Sequence, residues 1–69
     1  DFMSIEKYNS IIHNHTRLFR NFTKEHGRNA LRLVLYALEN NQSAQAIATQ
    51  LNLPLLEVQN IKNVFQKAA

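Results

Sequence analysis

Sixty-nine residues allow one small domain, near the lower size limit at which a hydrophobic core sustains independent folding. The absence of cysteine excludes a disulfide framework and a thiolate nucleophile, and no apolar run approaches membrane-spanning length. Eight Lys and Arg against five Asp and Glu leave a net charge of +3, a mild excess that suits a nucleic-acid partner. So small a core makes association, as a homodimer or with a protein partner, an expectation too. The amino terminus lacks the basic segment, apolar segment and cleavage site of a secretory signal, so cytoplasmic residence is expected. Met3 reads as a natural start behind Asp1 and Phe2, in what is then nearly a whole small protein.

The spacing of Ile5, Tyr8, Ile12, His15, Phe19 and Phe22 by three and four residues predicts one long helix over 4–25, with Ile11 and Leu18 widening its apolar face. Ser4 suits its N-cap and Gly27 its termination. A second helix is predicted from about Ala30 to Glu39. There Leu31, Leu33, Val34, Leu35, Ala37 and Leu38 leave little polar face, which makes it the central, most buried element. Asn40, Asn41 and Gln42 break the pattern.

Ser43 then caps a third helix over 44–50, Asn52 and Leu53 form a turn, and Pro54 opens a fourth helix over 54–66. Ile47, Ala48, Leu51, Leu53, Val58 and Ile61 form the inward set of two short helices meeting at an angle, joined further along by Val64 or Phe65. The chain therefore reads as all-α: a single compact four-helix domain with a C-terminal helix-turn-helix-like unit.

Residues 43–63 resemble the helix-turn-helix unit of bacterial DNA-binding proteins. In that family a small residue, usually Ala, is separated by three residues from a Gly and by five more from an Ile or Val; the matching positions here are Ala48, Asn52 and Val58. Asn stands where the family has Gly, and Asn is the next most tolerant residue of a left-handed turn. The resemblance covers about a third of the chain and implies double-stranded DNA as partner, with the fourth helix in the major groove and two motifs on one duplex when subunits pair.

In that pose Gln59, Asn60 and Asn63 face the bases, since an amide both donates to and accepts from adenine, while Lys62 turns toward phosphate. Glu57 falls near the same face, where a carboxylate is repelled unless it meets a cytosine amino group. All of the excess charge lies outside the motif. Arg17, Arg20 and Lys24, continued by Arg28 and Arg32, form a line able to grip the DNA backbone or simply to snorkel over an apolar body.

Adjacent Leu55 and Leu56 at the start of the fourth helix point instead to a protein interface, to which Tyr8 and His15 on the first helix also belong. This supports the alternative of a protein-interaction or oligomerisation domain in which the helix-turn-helix is only a scaffold. His13 and His15 face different sides of a helix and cannot share an ion, no HExxH occurs, and Glu6, Glu25, Glu39 and Glu57 are scattered. Neither metal, cofactor nor enzymatic activity is expected. The composite expectation is a small DNA-binding transcriptional regulator or accessory factor.

Overall fold

The computed structural model describes the backbone of residues 5–68 and the side chains of residues 9–67. Within them the chain is all-α, with five helices and no strand: α1 (Ile5–Asn14), α2 (Thr16–His26), α3 (Arg28–Glu39), α4 (Ala44–Leu51) and α5 (Leu55–Ala68). The N-cap expected at Ser4 lies outside the described residues. No helix of the described residues is long and apolar enough to cross a membrane.

The single long helix expected over 4–25 is two helices, broken at His15, whose backbone leaves helical values at φ −133 and ψ 47. His13, Asn14, His15 and Thr16 form a run of weak helix formers, so interrupting the helix here costs little propensity. Thr16 makes the interruption tolerable: its hydroxyl donates to the His13 carbonyl at 2.9 Å, while the His15 amide donates to the Ile12 carbonyl at 3.3 Å. The break redirects the chain. As a result α1 packs against α5, whereas α2 runs back along α3. It also reverses two expected placements. Ile11 is buried and Ile12 only half-buried, and His15, expected on the apolar line, is exposed.

Three left-handed residues make the remaining corners. Gly27 joins α2 directly to α3 at φ 94 and ψ 160, a conformation open essentially to glycine alone, and its amide donates to the Thr23 carbonyl at 2.8 Å. This junction starts α3 at Arg28, two residues earlier than expected. Asn41 (φ 65) and Asn52 (φ 57) also take positive φ at the ends of α3 and α4. In each case the next amide reaches back five residues, Gln42 to the Ala37 carbonyl at 3.1 Å and Leu53 to the Ala48 carbonyl at 2.9 Å. Ser43 caps α4 as expected, its hydroxyl oxygen accepting from the Ala46 amide at 3.1 Å.

Among the described residues the core is entirely apolar. Val34 and Leu35 of α3, Ile47 of α4, and Val58 and Ile61 of α5 have no exposed surface, and Ile11, Phe19, Phe22 and Phe65 close around them. Of the expected inward set, Leu51, Leu53 and Val64 are half-buried at the edge. Leu33, expected inside, is instead 50% exposed beside Tyr36 at 54%. The reason is geometric: among the described residues α3 packs against α2, α4 and α5, and the side that carries Leu33 is not one these helices cover.

Added bulk at Gly27 would meet no atom within 4 Å, so substitution there probes backbone strain alone. Gly27→Ala is expected to lower unfolding free energy by about 1–3 kcal/mol in urea titration. Asn52→Gly should stay within about 0.5 kcal/mol of the parent, because loss of left-handed strain offsets the added freedom of the unfolded chain. Equal stability of Gly27→Ala and the parent would mean that the α2–α3 junction does not hold this conformation.

Candidate functional site

The paired helices α4 and α5 owe their close angle to three residues. Ala48, buried with a side chain of one carbon, lets α5 approach α4 closely; Asn52 reverses the chain in its left-handed conformation at φ 57 and ψ 51; Pro54 precedes α5, and its carbonyl accepts from the Val58 amide at 3.2 Å. Asn52 thus adopts the backbone conformation for which the bacterial pattern uses Gly.

Burial of Val58, Ile61 and Phe65 fixes which side of α5 faces out. Leu56, Gln59, Asn60, Asn63 and Lys67 recur by three and four residues opposite that stripe, and all are exposed. Gln59, Asn63 and Gln66 also line a depression of about 380 Å³ with Lys62 and with Ala44 at the start of α4. The three amides expected to face bases therefore share one exposed side of α5. Lys62 stands half-buried at its flank.

Glu57 does not join them, contrary to its expected place near the DNA face. Its Oε1 lies 2.9 Å from Nε2 of His26, the last residue of α2. A carboxylate only accepts, so the imidazole N–H donates. Phe22, buried one turn earlier, holds the ring at a centroid distance of 4.8 Å. Each partner also sits at the helix end that favours its charge, Glu57 in the first turn of α5 and His26 in the last turn of α2.

Glu25 Oε1 approaches the same nitrogen at 3.4 Å, so two of the four carboxylates expected to be scattered, Glu25 and Glu57, meet at one imidazole. Among the described residues, Glu25, His26 and Glu57 are the one group able to offer a cation three donor atoms, all within 4.8 Å of one another. A tetrahedral ion sets its ligand atoms about 3.3 Å apart, so binding would require Nε2 to lose its proton and Glu57 to withdraw. The spacing between His26 and Glu57 is that of a hydrogen bond. Sequence reasoning missed the pair because 31 residues separate its members and neither belongs to a recognisable motif.

The expected phosphate line divides in two. Arg17 and Lys24 recur seven residues apart on the exposed side of α2. Arg20 and Arg28 instead meet Arg32 around a groove between α2 and α3. Of the expected interface residues, Leu55 and Leu56 are exposed at 40% and 69%. His15 lines a shallow depression with Arg17 and Leu18, and the side chain of Tyr8 lies outside the described residues.

The His26–Glu57 bond ties the end of α2 to the start of α5, so it should carry measurable coupling. A double-mutant cycle of His26→Ala and Glu57→Ala, followed by urea unfolding, is expected to give an interaction energy of about 0.5–2 kcal/mol. Strict additivity would mean that the pair does not hold in solution. No family model, curated protein or solved structure matches the chain, and its function is therefore read from this geometry.

Proposed function

We propose that the chain is a small, non-enzymatic DNA-binding regulator or accessory factor that places α5 in the major groove of double-stranded DNA. One observation carries this reading: the outward side of α5 presents three amides and no carboxylate, because Glu57 is turned aside onto His26. Gln59, Asn60 and Asn63 can each offer a donor and an acceptor to base edges. Leu56, at the head of the same stripe, can meet a thymine methyl group.

The neighbouring surface is compatible with DNA in charge. Gln45, Thr49 and Gln50 on the exposed side of α4 are uncharged and able to donate to phosphate oxygens. Lys62 and Lys67 supply the cations of α5, with Arg17 and Lys24 on α2 as flanking phosphate contacts. Homodimerisation would set two such helices on successive half-sites.

Exposed Leu33, Tyr36, Leu55 and Leu56 favour a second reading, in which the domain is an oligomerisation or protein-interaction module and the helix-turn-helix geometry is scaffold. Titration of mixed-sequence duplex DNA at two salt concentrations separates the two readings. Four phosphate contacts predict a slope of log affinity against log salt near about −3.6, falling to roughly −1.8 in Arg17→Ala/Lys24→Ala. Gln59→Ala/Asn60→Ala should erase preference among duplexes while leaving the slope unchanged. Absence of binding at about 50 mM salt would overturn the DNA reading in favour of the second.

A further inference from the structure

We propose that the groove between α2 and α3 is a docking site for an acidic amphipathic helix of a partner protein. The groove has a volume of about 410 Å³, with Ile12, Phe19 and Leu31 at its apolar base and Arg20, Arg28 and Arg32 around it. Phe19 and Leu31 are buried. Thr16 and Thr23 also line it, and they mark a length of two helical turns along α2, about 10 Å.

The polar character of the groove comes from its arginines. Both threonine hydroxyls are engaged within their own helix: Thr16 donates to the His13 carbonyl at 2.9 Å, and Thr23 to the Phe19 carbonyl at 2.9 Å. Among the described residues no acidic side chain lines the groove, and no ion pair engages Arg20, Arg28 or Arg32. Three guanidinium groups thus surround the groove without a neutralising partner among the described residues.

That combination selects an occupant with apolar groups flanked by carboxylates. Arg20 rises from α2, and Arg28 with Arg32, four residues apart on α3, from the opposite wall. A helix lying along the seam can seat side chains at i, i+3 and i+7 over half-buried Ile12 and the aliphatic stems of the three arginines while glutamates on both flanks meet guanidinium forks. Sugar-phosphate backbone would satisfy the arginines but bring nothing apolar for the base. An acidic helix satisfies both. This surface shares no lining residue with the amide side of α5, so the proposal stands independently of the DNA reading.

The test is fluorescence anisotropy with a labelled helical peptide of about 15 residues, carrying leucines at i, i+3 and i+7 and glutamates on both flanks. Binding is expected to weaken roughly tenfold or more in Arg20→Ala/Arg28→Ala/Arg32→Ala, a variant whose fold is checked by its thermal melt. A similar loss is expected when the leucines are replaced by alanine, and no binding when the glutamates are replaced by lysine. The same triple variant should bind duplex DNA with an unchanged salt slope. The proposal is overturned if the parent protein shows no binding up to about 1 mM peptide, or if the triple variant binds the peptide equally well. It is overturned equally if the alanine peptide binds as tightly as the leucine peptide, or if the triple variant loses DNA affinity with a shallower slope, which would assign these arginines to phosphate.

Discussion

The burial of one side of α5 is the constraint to which the rest of the chain conforms. Val58 and Ile61 have no exposed surface and Phe65 almost none, and this stripe meets α1, α3 and α4 together. Among the described residues the buried set contains no polar side chain, so no side-chain hydrogen bond within it fixes the direction of a helix. Helix ends supply the direction instead. Ser43 starts α4, Asn52 stops it, and Gly27 turns α2 straight into α3. In a chain this short, three such residues set where the helices around α5 begin and end.

The interruption at His15 follows from the same constraint. A continuous helix from Ile5 to His26 would carry Ile11 and Phe22 on one rigid rod, yet α1 packs on α5 and α2 on α3. Breaking the rod lets both ends bury. The cost falls on a segment with little to lose, because His13, Asn14, His15 and Thr16 are weak helix formers and the Thr16 hydroxyl bonds to a carbonyl near the gap. Periodicity alone conceals such a break. Ile12 and His15 fit a helical line through the gap as well as Phe19 and Phe22 fit it beyond, and only the competition between two packing partners decides otherwise.

The contrast between α4–α5 and the rest shows which information is local. Ser43, Ala48, Asn52 and Val58 are readable in sequence because capping, close approach, a left-handed turn and inward spacing each depend on residues within one or two turns. The outward positions of Gln59, Asn60 and Asn63 follow from the same periodicity. What α3 exposes is not local: Leu33 resembles its buried neighbours in chemistry and differs only in having no helix opposite it. Nor is the fate of Glu57 local. It lies two residues from Gln59 in sequence, but the residue that turns it away, His26, is on α2. Arg20 and Lys24 separate for a related reason, since the α2–α3 hairpin creates a groove wall where a linear reading saw one basic stripe.

These divisions bear on how strongly a single copy could hold DNA under the proposed reading. The outer side of α5 offers amides, which discriminate among bases but contribute little of the electrostatic affinity that counterion release provides. Lys62 and Lys67 are few beside the six to ten phosphate contacts of a strongly salt-dependent binder, roughly the range in which affinity falls a thousandfold or more over a fourfold rise in salt. Adding Arg17 and Lys24 still leaves the count low. A domain so balanced reads sequence only weakly alone, and gains most from being held twice. Linking two weak contacts turns the second into an intramolecular event and multiplies affinity without any new contact at the DNA. Leu33 and Tyr36 lie three residues apart on α3, and both are exposed. Under that reading, pairing of copies through such exposed apolar surface would supply the affinity that the amide side lacks.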